Sequence, residues 1–239
     1  MAMKRFFLLH ALAALLLLSW LFGPTRILWD HFDHIAFNFL NGFVHASPTA
    51  QTFWALAGYK RSEYFMDAVR LIFFVTFIFT ASKARRRHRI AIILFTIVFI
   101  FLSIVYVGKT LFPEVLEIER FSPTAADPDA FRLSKVIDWI YVKDASKASY
   151  PSDHGITACL FISCMFALFG RRYGLAAIIT EGYYCLPRLV AGAHWATDVI
   201  IGSGTIALIL SAWILCTPIA RWCITLIEYT LGKRHARIV

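Results

Sequence analysis

Charge is scarce in this chain. Only 16% of its 239 residues are Asp, Glu, Lys or Arg, against about 25% in an ordinary soluble domain, which disfavours a soluble single-domain enzyme. Proline and glycine are also few, at 8 and 12 residues, so collagen-like and low-complexity architectures fail. Cysteine is limited to Cys159, Cys164, Cys185, Cys216 and Cys223, all in or beside apolar runs and without metal-ligand spacing. Free, buried thiols are expected, with no metal centre. What is abundant is apolar sequence: 59% of residues are hydrophobic, including 22 Phe and 7 Trp, which excludes a disordered chain. The solvent for such a chain is a lipid bilayer. The net charge of +9 then reads as membrane topology rather than as a nucleic-acid surface.

A bilayer core about 30 Å thick needs roughly 20 mostly apolar residues per spanning helix. Six runs approach this: Phe6 to Phe22, Ala68 to Ser82, Ile90 to Val107, Gly155 to Gly170, Tyr173 to Pro187 and Val199 to Ala220. Several are short, so polar first turns are expected to project beyond the hydrocarbon. The first run follows Lys4-Arg5 like a secretion signal, but no small-x-small cleavage site follows Trp20-Leu21-Phe22-Gly23, and a retained helix is expected. Basic residues test the count. Lys4, Arg5, the loop at 83 to 89, Arg171, Arg172, Arg221, Lys233, Arg234 and Arg237 all fall on one side, with Glu228 as the acid there. The positive-inside rule makes that side, and both termini, cytoplasmic. The expected fold is an all-α integral membrane protein. It is a six-span bundle forming one polytopic domain over residues 1–239, and no internal repeat is evident.

Between the first two spans, Trp29, Phe32, Ile35, Ala36, Phe39, Leu40, Phe43 and Val44 recur at helical spacing, with Asp30, Asp33, Asn38 and Asn41 on other faces. This predicts an amphipathic helix on the outer surface, or ordinary helix-on-helix packing. His31, His34 and His45 read as polar-face residues, and His10 as an incidental polar residue. Lys60, Arg61 and Arg70 beside Glu63 and Asp67 read as an interfacial anchor, with contact to a lipid headgroup as the alternative.

Two clusters carry chemistry, both at the outer membrane edge. The long loop from Gly108 to Ser152 ends in Lys143-Asp144-Ala145-Ser146-Lys147, then Pro151-Ser152-Asp153-His154-Gly155 just before an apolar run. Ser152 or Asp153 can cap that helix, whose first N–H groups then form a site for a phosphate oxygen. The second cluster is Pro187-Arg188, Gly192-Ala193-His194-Trp195 and Thr197-Asp198. His194 and Asp198 share a face if helical, so the carboxylate can take the imidazole proton and leave the other ring nitrogen free. Arg188 lies about 240° from His194 around an ideal helix, so the chain must break between them, at Gly192 or Pro187. Cations and N–H donors aimed at one point suit an anion whose charge is held while a bond to phosphorus breaks.

Pro151-Ser152-Asp153-His154, with Arg188, His194 and Asp198 at intervals of six and four, resembles the second and third signatures of the type 2 phosphatidic acid phosphatase superfamily. These are integral-membrane, metal-independent lipid phosphatases and phosphotransferases that use no cofactor. The resemblance covers residues 109 to 204. It implies His194 as the nucleophile that becomes a phosphohistidine, Asp198 as its orienting group, and His154 as the proton donor to the leaving oxygen. Arg188, Ser152 and backbone N–H groups such as that of Gly155 would hold the phosphate. The first signature, a Lys six residues before Arg-Pro, is poorly kept. Lys109 and Arg120-Phe121-Ser122-Pro123 come nearest, with Arg120 the better phosphate clamp and snorkelling the alternative for Lys109.

Two departures from the pattern, Asp153 for Gly and Pro187 for Ser, resemble the lipid A phosphotransferase branch. So do the Lys143 to Ser146 run, Gly202-Ser203, and the surface-helix pattern with Asp33 and Asn41. That likeness implies an enzyme of the Gram-negative inner membrane with its site at the periplasmic rim. Its donor would be undecaprenyl diphosphate, its acceptor lipid A and its product lipid A 1-diphosphate. Asp153 next to phosphates must turn away, be protonated or meet a cation, with Lys143 and Lys147 the expected partners. A phosphatase with water as acceptor fits the same residues. A proton-coupled transporter fits less well, because only Glu181 looks mid-span. A small regulatory membrane partner has no signature in the sequence.

Overall fold

The computed structural model describes residues 2–115 and 119–236, the side chains of residues 2, 60, 113 and 233–236 excepted. Of the expected basic residues, Arg237 and the side chains of Lys60, Lys233 and Arg234 lie outside the described residues. The described residues are mainly helical, apart from the long loop ahead of residue 153. In order it forms α1 (Ala2–Leu21), α2 (Gly23–His45), α3 (Pro48–Ala57), α4 (Lys60–Phe79), α5 (Lys83–Ser103), α6 (Pro123–Ala126), α7 (Asp153–Cys164), α8 (Arg171–Val190), α9 (Gly204–Leu215) and α10 (Ile219–Ala236). No strand forms among the described residues, and one isolated bridge joins Arg120 to Ala148.

Among the described residues, three helices are long and apolar enough to cross a membrane: Met3–Leu21, Lys83–Phe112 and Asp198–Leu215. Asp153–Phe169 is a shorter apolar helix. Wider-pitched π segments extend α5 through Ile104–Val115, extend α7 through Met165–Phe169 and precede α9 at Asp198–Ser203. The last of these begins at a predicted site residue, a common location for π turns.

The main core packs α5, α7 and α9 together through Ile92, Ile156, Leu160, Phe161, Met165 and Ile206. Outward, Phe7, Leu15, Ile72, Phe79, Phe101, Ile179 and Leu226 stay exposed. Helices apolar on both core and outer faces are those of a bundle in lipid. Helix α1 packs along α9. All five cysteines are free, and Cys164 and Cys185 are fully buried.

Helix α2 turns its polar stripe inward, opposite to a surface helix that only lays apolar residues on the protein. Asp33, Phe37, Asn41 and Val44 are buried, while Ile27, Leu28, Ile35 and Phe39 are exposed. Asn41 donates to the Val190 carbonyl at 3.1 Å, at the end of α8. The interfacial-anchor reading of Arg70 also gives way. Its guanidinium grips the fully buried Glu181 carboxylate of α8 through two bonds of 2.9 and 2.6 Å, and the Asp67 carboxylate at 3.1 Å. A mid-span carboxylate is tolerable only with such a partner.

The loop before α7 is pinned by Asp144, which is buried. Its carboxylate accepts from Arg132 at 3.0 Å and from the Ser134 amide and hydroxyl at 2.8 and 3.0 Å. Leu133 and Val142 of this loop pack with Val44, Val190 and Ala191. The loop is thereby fixed against the outer ends of α2 and α8, and Lys143 stands beside the anchored Asp144.

Candidate active site

Helix α7 starts where Ser152 accepts the Gly155 amide on its side-chain oxygen at 3.2 Å. The Ser152 carbonyl takes the Ile156 amide at 2.9 Å and the Ser203 hydroxyl at 2.8 Å. Ser152 is therefore spent on capping, and the Gly155 N–H is spent on the cap. The conservation of space, rather than a free amide, explains a glycine here: a Cβ on Gly155 would come within 2.4 Å of Ser203 Oγ. Ser152 and Gly155 form the floor of the site and are not on the walls of the cavities described below.

Helix α8 ends at Val190, and Gly192 adopts a φ of +77°. The Ala193 amide returns to the Arg188 carbonyl at 2.9 Å, so the chain reverses between Arg188 and His194. Pro187 sits inside α8 and does not break it. The break falls at Gly192 because a left-handed residue is needed there and a Cβ would meet Thr124 at 2.4 Å.

His194 precedes the next helix. Its Nδ1 lies 2.8 Å from the Ser149 carbonyl, and a carbonyl only accepts, so Nδ1 carries the proton and Nε2 keeps its lone pair. Asp198 stands 3.7 Å from the same Nδ1. The expected direct imidazole–carboxylate bond is not made, because residue 194 is not helical and the Asp198 oxygens are taken. One accepts the Trp195 amide at 2.8 Å and the other the Arg120 guanidinium.

Arg120 is thereby committed. It joins Asp198 to Asp33 of α2, at 2.8 Å from the latter, and its guanidinium lies over the rings of Trp20 and Trp195. Asp33 also accepts the Thr197 amide at 2.9 Å and its hydroxyl. Burial pulls the Arg120 pKa down, but the Asp198 and Asp33 carboxylates more than offset it and leave it raised. A cation so fully paired is a strut beneath His194 and not the phosphate clamp the sequence suggests. Asp33 was visible only as part of a surface-helix pattern.

Above this strut, His154 and His194 line one cavity of about 200 Å³ with Gly108, Lys109, Lys143, Tyr150 and Asp153. His154, Lys109, Lys143 and Asp153 continue into a second of about 350 Å³ that reaches Arg188, Glu63 and Tyr184. Burial pushes the Tyr150 phenol up to about 12, so it stays protonated. Lys109 thus faces the site despite its poor motif match. Lys147 is exposed and does not line these cavities. Among the described residues Asp153 forms no ion pair, with Lys143 or Lys147 or otherwise. Its carboxylate packs over Gly108, where a Cβ would come within 2.8 Å.

The residue that sequence reasoning missed is Glu63, in the polar first turn of α4 ahead of the apolar run. Its Oε1 accepts from Arg188 Nη2 at 2.8 Å and meets His154 Nε2 at 3.3 Å. Arg188 Nε is 3.3 Å from the same imidazole nitrogen. The hydrogen bond from His154, with the charges of His154 and Arg188, holds the Glu63 carboxyl at about 2. No local motif signals it, since 91 residues separate Glu63 from His154.

Two imidazoles, one with a free nitrogen, share a cavity with two lysines next to an arginine, held by the ends of apolar helices and the loop before α7; this is the equipment of a membrane enzyme that handles phosphate esters of lipids. The chain belongs to the PAP2 superfamily, which residues 119–223 match. It is 31% identical over 232 residues, 95% of this chain and 94% of the other, to lipid A 1-diphosphate synthase of Escherichia coli (strain K12). No solved structure matches it. The protein is a lipid phosphatase or phosphotransferase.

Proposed function

We propose that the protein transfers the terminal phosphoryl group of undecaprenyl diphosphate to the 1-phosphate of lipid A through a phosphohistidine. The observation that carries this reading is the Ser149 carbonyl on His194 Nδ1, which leaves Nε2 as a nucleophile on the cavity it shares with His154. Nε2 attacks the terminal phosphorus, a P–N bond forms, and the P–O bond to undecaprenyl phosphate breaks as His154 protonates the leaving oxygen. An oxygen of the acceptor 1-phosphate then attacks the same phosphorus, giving up any proton it carries to His154. The P–N bond breaks and His194 is regenerated with lipid A 1-diphosphate as product. Arg188, Lys109 and Lys143 hold charge on the transferring group, Arg188 as a planar fork.

A six-span layout in the inner membrane, with cytoplasmic termini and a periplasmic site, agrees with the separation of ends along α4. That helix carries Glu63 at its start, while Arg89, from the basic loop, reaches the Phe77 carbonyl near its far end. Glu63 lies in its polar first turn, ahead of the apolar run from Ala68 to Ser82. Residues 1–239 act as one domain. Asp153, on the cavity wall and without an ion pair among the described residues, helps configure the site for transfer rather than hydrolysis. An Asp153→Gly variant with an unchanged ratio of transfer to phosphate release would remove that role.

The test is purified protein given donor labelled in its terminal phosphate, with and without lipid A. Labelled lipid A 1-diphosphate is expected. Free phosphate as sole product, with acceptor present, would overturn the transferase reading.

A further inference from the structure

Glu63 places one carboxylate oxygen against the Arg188 guanidinium and the His154 imidazole together. Those two donors are the ones an incoming phosphate oxygen needs. A carboxylate and a phosphate cannot hold them at once, since like charges at contact distance repel. Glu63 is also the most exposed member of the trio. Its side chain is 34% exposed, against 9% for Arg188 and 15% for His154, and the N-terminus of α4 has no side-chain cap to stiffen it. It stands between the polar cavity and an apolar groove of about 240 Å³ formed by α3, α4 and α8. There is open space for it to swing into.

We infer that Glu63 is a built-in occupant of the phosphate seat, a specificity residue that holds Arg188 and His154 assembled in the empty site and yields only to a strongly charged ligand. Free inorganic phosphate must displace it with neither a second phosphate nor a hydrocarbon to help. A lipid diphosphate brings a second phosphate group to Lys109 and Lys143, with its hydrocarbon held by the bilayer. The residue thereby screens the site against small anions. The inference rests on the phosphate-handling reading of the site.

The experiment compares inorganic phosphate binding to detergent-solubilised wild type, Glu63→Gln and Glu63→Asp by calorimetry, with melting curves as folding controls. Glu63→Gln is expected to bind phosphate at least about tenfold more tightly, because the competing charge is gone. Glu63→Asp, too short to reach both donors, falls between. A residue that merely props up Arg188 and His154 gives the opposite sign, since its loss disorders the donors and weakens phosphate. Equal or weaker binding in Glu63→Gln overturns the inference. Should that variant fold poorly, Glu63→Asp carries the same test: binding no tighter than wild type overturns it. Arg188→Ala separates the two ideas. If it leaves wild-type phosphate binding unchanged, the phosphate site itself is wrong; if it abolishes binding while Glu63→Gln tightens nothing, only the Glu63 inference fails.

Discussion

His194 gives its Nδ1 proton to the carbonyl of Ser149 at 2.8 Å, and that backbone oxygen, from the loop before α7, fixes which ring nitrogen is free. Asp198, which sequence spacing made the natural partner, stands 3.7 Å off and works through Arg120 and the Trp195 amide. Removing the imidazole and removing the carboxylate should therefore fail differently. His194→Ala is expected to retain the fold and form no phosphoenzyme from labelled donor. A labelled histidine adduct persisting in that variant would contradict the nucleophile assignment.

Asp198→Asn should be foremost a stability mutant. It leaves Arg120 buried with one carboxylate instead of two, and breaking a buried ion pair costs about 3–5 kcal/mol. The expected melting temperature in detergent is well below that of His194→Ala, with residual phosphoenzyme formation in the fraction that folds. A melting point equal to wild type would remove the strut role of Asp198.

Arg120 and Arg188 should separate in the same way. Lysine at 120 cannot bridge Asp33 and Asp198, so Arg120→Lys lowers the melting temperature. Arg188→Lys loses the guanidinium fork at the cavity, so it keeps the melting temperature and is expected to lose about tenfold or more in kcat/KM. Identical behaviour of the two variants would contradict the division of labour.

Glu181 and Arg70 form a pair between α8 and α4. Glu181→Ala strands a guanidinium in the bundle and should destabilise strongly, whereas replacing both by Leu and Met should recover most of the loss. Thermal melts of the two single variants and the double variant complete the cycle, and additive losses would show that the pair is not coupled.

The Glu63 carboxyl is held at about 2 against an ordinary 4.5. A depressed acid stabilises the fold fully above its unfolded value and loses that contribution as pH falls toward the folded one. The part of the stability difference between wild type and Glu63→Gln that comes from the Glu63 charge should shrink between about 4.5 and about 2. A difference that vanished already near pH 6 would place its titration elsewhere.

Much of the architecture was present in the order of residues. Long apolar runs and one-sided Lys and Arg determine that the chain is helical and lives in lipid, because a backbone in hydrocarbon must bond to itself. The motif residues also announced phosphate chemistry: His154, Arg188 and His194 come to adjoining walls as their types and intervals suggested, with Gly192 making the turn. Tertiary structure decided the partners. Asp33 points inward, Arg120 serves as a strut, a Ser149 carbonyl orients His194, and Glu63 occupies Arg188 and His154. Hydrogen bonds between groups 45 to 125 residues apart depend on how helices pack, and no local pattern encodes them. A backbone carbonyl, moreover, has no residue identity to read.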